Sequence, residues 1–203
     1  AIDQATNTKV AIKKMLNPFG VSKKARRVLR EFVLLSRQNH PNIIKFKSAF
    51  TPQEKIEEFE DIYLVMEYMD STLTEVIGKV QLDHETLSKF IYQTLCAVFH
   101  LHRKGIIHRD LKPCNLVVNA NDNFELKVLD FGFARLIAPS PAEKMSAYVV
   151  TRYYRAPEVV LEIEFPEEVD VWSIGCIFAE MITGTILFKV VFLNDSHSYT
   201  ASL

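Results

Sequence analysis

Glycine is scarce in this sequence, and its scarcity excludes one kind of phosphate-binding site. Six glycines occur in 203 residues, and no two of them form a Gly-x-Gly pattern. Glycine-rich loops cradle phosphates because glycine lets the backbone approach the ligand closely. The 203 residues therefore contain no loop of that type.

Cysteines and long apolar runs are also few. The three cysteines are odd in number and lack the spacing of a metal site, which is expected of a reduced intracellular protein. The longest apolar run, residues 169–182, is shorter than a bilayer span and contains Asp170, so we predict a helix buried in protein. Because the first eight residues are polar, we expect no signal peptide.

Neither sign of charge is in excess. The 24 Lys and Arg residues nearly balance the 25 Asp and Glu residues, for a net charge of −1. This balance gives no reason to expect a direct nucleic-acid partner or a membrane surface as partner. A chain of this length can bury a sizeable core in one domain or in two small lobes.

The chemically densest stretch is IIHRDLKPCN, residues 106–115. An acid in such a loop can accept the proton of an incoming hydroxyl, which is the role we predict for Asp110. Lys112 can hold a phosphate oxygen, and Asn115 can offer its amide oxygen to Mg²⁺. The alternative is an ordinary polar turn.

Two further motifs place charged residues at or after the end of a predicted strand. The run KVLDFG, residues 127–132, indicates a short strand that ends in the carboxylate of Asp130, followed by a glycine that permits a sharp turn. The apolar strand VAIK ends at Lys13, and Glu31 follows on a predicted helix. We predict that Lys13 and Glu31 form an ion pair; the alternative for Lys13 is a solvated cation on an edge strand.

The pattern predicts a mixture of strands and helices. Strands are expected at residues 9–14, 43–50, 62–68, 116–118 and 126–129. A helix at residues 22–38, capped by Ser22, should bury Ala25, Leu29, Phe32 and Leu35. A second helix should run from its cap, Asp83, to residue 104, stop at Gly105 and bury Leu87, Phe90, Ile91, Leu95 and Val98. A third should begin at Pro166 and end before Gly184.

These motifs, together with APE at residues 156–158, occur in the order found in protein kinases, which the sequence resembles. Over roughly residues 1–188 it is similar to the mitogen-activated group, in particular the c-Jun N-terminal kinases. The stretches that carry this similarity are FTPQ at 50–53, EEF at 57–59, IIHRDLKP at 106–113 and YVVTRYYRAPE at 148–158.

The resemblance implies an α+β, bilobal protein-kinase-like fold that is partial. Residues 1–69 would be a small β lobe with the αC helix and the hinge, without the glycine-rich loop of the family. Residues 70–188 would be a mainly helical large lobe ending after the αF helix. Residues 189–203 do not resemble the family.

The resemblance also implies roles for single residues. ATP and Mg²⁺ would be the cofactors, the backbone of Glu67 and Met69 would pair with the adenine edge, and Met66 would guard the pocket behind it. The implied catalytic residues are Asp110, Lys112, Lys13 and Glu31; the implied metal ligands are Asn115 and Asp130. His108 would pack with Leu35 and Phe131, and Asp170 would accept backbone amides of the catalytic loop.

Regulation by phosphorylation is a further expectation. SAY at residues 146–148 stands where the family usually has Thr-Pro-Tyr, so Ser146 and Tyr148 would be the activation-loop sites. The arginines expected to gather around their phosphates are Arg27, Arg30, Arg109 and Arg135. The alternatives are an ordinary exposed loop and, for the helical arginines, a solvated face. Cys114 and Phe133 replace the family's usual Ser and Leu.

The implied function is that of an ATP-dependent, proline-directed protein serine/threonine kinase of the stress-activated group, in signal transduction. Its expected partners are protein substrates with Ser-Pro or Thr-Pro and an upstream dual-specificity MAP kinase kinase, in the cytoplasm and the nucleus. The alternative is a truncated, weak or inactive kinase fragment that acts as a binding or competitor module.

Overall fold

The computed structural model describes residues 1–55, 58–119, 124–137, 153–161, 167–191 and 200–201. Its first part is an antiparallel sheet of four strands in the order β1-β2-β4-β3. The strands are β1 (Ile2–Asp3), β2 (Thr8–Leu16), β3 (Phe46–Phe50) and β4 (Asp61–Glu67). Three of them were predicted with slightly different ends. β1 was not, because two residues are too short to show an alternating pattern.

Helix α1 (Ser22–Ser36) packs beside this sheet, but not as predicted. Ser22 is the first helical residue, and Val21 before it makes no side-chain cap bond, so the predicted cap is wrong. The predicted apolar stripe is wrong at Leu29, which is 62% exposed. The buried face instead includes Val28 and the carboxylate Glu31. A stripe defined by apolar residues cannot include a charged residue that is buried because it has a partner.

The rest of the described chain is mainly helical. It comprises β5 (Ser71–Thr72), α2 (Leu73–Ile77), α3 (His84–Arg103), β6 (Ile106–Ile107), a 3₁₀ turn (Pro113–Asn115), β7 (Leu116–Asn119), β8 (Glu125–Val128), β9 (Arg135–Leu136), α4 (Pro157–Val160), α5 (Val169–Thr183), β10 (Val190–Val191) and β11 (Thr200–Ala201). Three small sheets are formed by β5-β7-β8, by β6-β9 and by β10-β11.

Helix α3 begins and ends as the sequence predicts. The Asp83 carboxylate accepts the N–H of Thr86 at 2.8 Å, which satisfies one of the free donors of the first turn. Gly105, just beyond the helix, has φ of +68°, a conformation that favours glycine. The predicted inward stripe is wrong at Leu95, which is 42% exposed, whereas Leu101 is fully buried.

Helix α5 is the predicted apolar helix. It ends at Thr183, and Gly184 follows in the left-handed conformation with φ of +68°, as predicted. Its first described turn contains Asp170, which is fully buried. The predicted starting residue, Pro166, lies outside the described residues. No helix in the described ranges is both long and apolar enough to cross a membrane.

One apolar core joins the sheet to the helical part. It contains Leu35, Met66, Phe90, Phe131 and Ile177, which come from α1, β4, α3, the loop after β8, and α5. A small sheet with one helix, followed by a mainly helical part on a shared core, is the α+β arrangement that was expected.

The segment between α1 and β3 ties the two parts together through β8. Ile44 donates its N–H to the Val128 carbonyl at 3.0 Å, and Val128 donates to the Asn42 carbonyl at 2.9 Å. The buried Asn42 amide donates to Gln93 Oε1 at 2.9 Å and to the Leu126 carbonyl at 3.0 Å. Asn42 therefore connects this segment to α3 and to β8.

We expect Asn42→Ala to lower the free energy of unfolding by about 1–3 kcal/mol, because the buried acceptors on Gln93 and Leu126 each lose a donor. Urea unfolding followed by circular dichroism measures this change. Asn39→Ala, at an exposed position in the same segment, is the matched control and should change it by less than about 0.5 kcal/mol. Equal effects of the two substitutions would contradict the role of Asn42.

Candidate active site

Lys13, Glu31 and Asp130 come together between the sheet and the helical part. Lys13 Nζ on β2 is 2.5 Å from Glu31 Oε1 on α1 and 3.5 Å from Asp130 Oδ2, which follows β8. Asp130 has φ of +66°, a left-handed conformation that Asp tolerates better than most residues. A cation from the sheet is thus held between two carboxylates from different parts of the fold.

The two carboxylates differ in their protonation behaviour. Burial raises the pKa of Glu31 even though Lys13 opposes this effect. Burial also acts to raise the pKa of Asp130, but Lys13, the N–H of Gly132 and Arg27 outweigh it, so the pKa of Asp130 is lowered. Asp130 is therefore ionised at neutral pH, as a ligand of a divalent cation must be.

Asp110, Lys112 and Asn115 form a second group, in the loop after β6. Asp110 Oδ2 lies 3.0 Å from Lys112 Nζ and accepts the Asn115 amide at 3.0 Å. The same amide donates to the Asp110 carbonyl at 2.7 Å. Leu129, next to Asp130, donates its N–H to the Asn115 carbonyl at 2.9 Å. A backbone hydrogen bond thus joins the loop to the segment that carries Asp130.

The backbone of this loop is anchored by Asp170 of α5. Its fully buried carboxylate accepts the N–H of His108 and the N–H of Arg109, each at 2.8 Å. Arg109 has φ of +68°, which costs about 1–2 kcal/mol for a residue with a side chain. The carboxylate bonds hold that conformation, and they agree with the prediction that Asp170 accepts loop amides.

His108 is a fully buried packing residue. Its ring lies edge-on to Phe131, with ring centroids 5.3 Å apart. Nδ1 accepts the N–H of Asp110 at 3.3 Å, which leaves Nε2 to donate to the Leu129 carbonyl at 3.2 Å. The imidazole therefore links the Asp110 loop to the residue that precedes Asp130.

The predicted hinge lies at the end of β4. Met66 is buried, and Met69 packs against the same core. Glu67 donates its N–H to the Lys45 carbonyl at 3.0 Å, so its backbone is held between β4 and the segment before β3. Met66 belongs to the core cluster that also contains Phe131.

Two of the predicted phosphate-binding arginines contact the segment after Asp130. The Arg27 guanidinium lies 3.9 Å from the centroid of the Phe133 ring, a cation–π contact. Arg30 Nη1 donates to the Gly132 carbonyl at 3.3 Å. Both side chains of α1 thus reach the start of the predicted activation segment.

The other two arginines lie in the loop after β6 and in β9. Arg109 is in the loop anchored by Asp170, and Arg135 is in β9, paired with Ile107 of β6. The predicted phosphorylation sites, Ser146 and Tyr148, lie outside the described residues. Their relation to the four arginines stays a prediction.

The residues present fit a Mg²⁺ ion. The Asn115 amide nitrogen is used by Asp110, which leaves its oxygen, contacted only weakly by the Cys114 thiol at 3.9 Å, as a possible ligand. With Asp130 this makes one amide and one carboxylate oxygen, and Mg²⁺ is usually bound by a few protein oxygens together with phosphates and water. The described residues hold no cluster of three or more His, Cys, Asp or Glu suited to a metal.

Sequence reasoning missed two residues that support the site. His102 Nε2 lies 2.9 Å from Asp170 Oδ2, and Lys127 Nζ lies 2.9 Å from Glu67 Oε2. Both contacts join residues that are far apart in the chain, so no local pattern signals them.

Comparison with known proteins agrees with this geometry. The family model described as a protein kinase domain matches residues 1–200. The chain is 56% identical over 188 residues to GLH-binding kinase 1 of Caenorhabditis elegans, covering 93% of this chain and 48% of that protein. It is 54% identical to stress-activated protein kinase jnk-1 of the same organism (93% and 40% covered) and 53% identical to stress-activated protein kinase JNK of Drosophila melanogaster (93% and 49%). The chain thus spans about half the length of the curated relatives it matches.

The His102–Asp170 contact predicts a pH-dependent contribution to stability. Burial acts to lower the pKa of His102, but the Asp170 carboxylate outweighs it, and the pKa is raised above its usual 6.5. The folded state therefore binds this proton more tightly than the unfolded state does. The resulting stability is fully present below pH 6.5 and is lost as the pH rises through the raised pKa.

Substituting His102→Asn should therefore destabilise the protein most below pH 6.5, with a smaller difference from the wild type at pH 9. Urea unfolding of both proteins between pH 6 and pH 9 measures this difference, in which the contributions of the other histidines cancel. The exposed His84→Asn is the control. A difference that stays constant with pH would contradict the role of the ionised pair.

Proposed function

Because the chain belongs to the protein kinase family, we propose that it transfers the γ-phosphoryl group of ATP to serine or threonine hydroxyls that precede proline. We propose further that it is of the stress-activated, mitogen-activated type and acts in signal transduction in the cytoplasm and the nucleus. The names of its relatives support this assignment. The observation that carries the proposal is the meeting of Lys13, Glu31 and Asp130 at one place.

Phosphoryl transfer depends mostly on positioning and on neutralising charge. In the proposed mechanism, Lys13 holds the α- and β-phosphates of ATP, and the Glu31 carboxylate at 2.5 Å keeps the ammonium in place. Asp130 and Asn115 would hold Mg²⁺, which supplies further neutralisation of the phosphates when bound. The backbone of Glu67 and Met69 would bind the adenine edge.

Asp110 is the proposed acceptor for the substrate hydroxyl. Its carboxylate is oriented by the Asn115 amide and lies 3.0 Å from Lys112 Nζ. In the proposed mechanism, Lys112 would contact the γ-phosphate while Asp110 orients the attacking oxygen. The proposed control by phosphorylation at Ser146 and Tyr148 would act on the segment that Arg27 and Arg30 contact at its start.

Asp110→Asn should lower the rate of phosphate transfer from labelled ATP to a Ser-Pro peptide by about 100-fold or more, because a neutral amide cannot accept the hydroxyl proton. A peptide with Ala in place of the Pro measures the proposed specificity. Asp70→Asn, at an exposed position, is the matched control and should keep the wild-type rate. A wild-type protein that binds Mg-ADP without any turnover would contradict the catalytic proposal and favour a binding module.

Asp130→Asn should raise the Mg²⁺ concentration needed for half-maximal binding of a non-hydrolysable ATP analogue. We expect at least the roughly 10- to 100-fold change that losing a supporting partner of a metal ligand causes. Asn tolerates the positive φ at this position, so the backbone should be preserved. Titration calorimetry at several Mg²⁺ concentrations measures the shift, and an unchanged Mg²⁺ dependence would contradict the role of Asp130 as a ligand.

A further inference from the structure

Glu67, the last residue of β4, is bound through both of its carboxylate oxygens. Oε1 accepts the N–H of Lys45 at 2.6 Å, and Oε2 accepts Lys127 Nζ at 2.9 Å. Its own N–H donates to the Lys45 carbonyl at 3.0 Å. The backbone at the end of β4 is therefore held from two sides, by the segment before β3 and by a side chain of β8.

Lys127 is buried despite its charge. It is 8% exposed, and a second carboxylate, Glu125, lies 3.1 Å from its Nζ. Burial acts to lower the pKa of Lys127, but the bonds to Glu67 and Glu125 outweigh it and raise this pKa. Lys127 is thus charged at neutral pH. Burying a charge is costly unless it is paired and hydrogen-bonded, so this ammonium is held firmly in its position.

The two carboxylates on Lys127 differ in one respect. Glu125 belongs to β8, the strand that also carries Lys127, whereas Glu67 belongs to β4 of the first sheet. Only the Glu67 contact crosses from the helical part to the sheet. The backbone bonds between Val128 and the segment of Asn42 and Ile44 form a second connection between β8 and the first part of the chain.

We propose that the Glu67–Lys127 ion pair is a clamp that positions the nucleotide-binding backbone at residues 67–69. The proposal rests on the proposed function, in which this backbone binds the adenine edge. Lys127 also lies in the run that leads directly to Asp130. The clamp therefore sets the adenine-binding backbone and the proposed metal ligand at a fixed separation. Glu67 and Lys127 act through their side chains as positioning residues.

A clamp of this kind contributes to nucleotide affinity by preorganisation. Without the ion pair, binding a nucleotide would require ordering the backbone at residues 67–69, and that ordering subtracts from the binding free energy. In the proposed mechanism, the transferred phosphate and the substrate hydroxyl would lie near Asp110 and not at residues 67–69. Breaking the clamp should thus affect the KM for ATP much more than kcat.

Lys127→Met keeps the length of the side chain and removes the charge. We expect it to raise the Kd of Mg-ADP, measured by titration calorimetry, and the KM for ATP by several-fold to about tenfold, because ordering the backbone at residues 67–69 then subtracts from the binding free energy. Glu67→Gln should have a similar effect. Because both substitutions break one contact, the double variant should be little worse than either single variant.

Two matched variants separate positioning from general destabilisation. Glu125→Gln removes the other carboxylate on Lys127 without breaking the contact between strands, and it should leave the Kd of Mg-ADP nearly unchanged. Lys127→Arg keeps a cation that can pair with Glu67 and should restore most of the affinity. A loss of thermal stability with unchanged Kd and KM in Lys127→Met, or equal effects of Glu125→Gln and Glu67→Gln, would overturn the proposal.

Hydrogen exchange of the free protein tests the clamp independently of catalysis. The amides at residues 67–69 should exchange faster in Lys127→Met than in Glu125→Gln, since opening of this backbone no longer has to break the ion pair. Equal exchange in the two variants would overturn the clamp. A wild-type protein that binds no nucleotide would overturn the proposed function instead, and the exchange comparison would still decide whether the clamp exists.

Discussion

The buried carboxylate of Asp170 is the constraint on which the geometry of the site depends. It is fully buried at the start of α5, accepts two loop amides at 2.8 Å and pairs with His102 at 2.9 Å. A carboxylate without these donors would be costly in this position. The loop satisfies the carboxylate, and the carboxylate in turn holds Arg109 in a left-handed conformation. Asp110 follows directly from that turn.

Strand β8 links the Asp110 loop to the segment that precedes β3 of the first sheet. Its last residue, Val128, bonds to the backbone of Asn42 and Ile44, and Leu129 just beyond it bonds to the Asn115 carbonyl. The strand therefore connects the Asp110 loop and the segment before β3 mainly through backbone bonds, to which the Asn42 side chain adds a bond to the Leu126 carbonyl. Asp130 follows, and Lys13 reaches it at 3.5 Å. The side chains of β2, α1 and the Asp110 loop can converge because β8 is bonded both to the loop and to the segment that follows α1.

Much of the candidate site could be predicted because its residues stand in short motifs whose order alone carries information. Asp110, Asn115, Asp130, Lys13 and Glu31 were all identified in this way. Local rules also predicted the Asp83 cap and the glycines that end α3 and α5, because caps and left-handed turns depend on neighbouring residues. The apolar stripes of α1 and α3 were less accurate at Leu29 and Leu95. Which face of a helix is buried depends on what packs against it.

The residues that support the site from a distance could not be predicted. His102 meets Asp170, and Lys127 meets Glu67, across 68 and 60 positions of the chain. Each of these residues, taken alone, looks like an ordinary charged group on a helix or a strand. Their pairing follows from the packing of α3 against α5 and from the crossing of β8 beside the end of β4. No periodicity within either element records such a contact.

The sequence by itself determined the chemical inventory of this protein: two lysines, three carboxylates and an amide suited to phosphate and Mg²⁺, on helices and strands with mostly local start and stop signals. Only the tertiary structure decided that Lys13 also lies 3.5 Å from Asp130, that His102 pairs with Asp170, and that Lys127 pairs with Glu67. The physical reason is the separation along the chain of the residues that interact. Motifs, caps and turns are set by residues a few positions apart, whereas burial and ion pairing depend on which distant segments share one core.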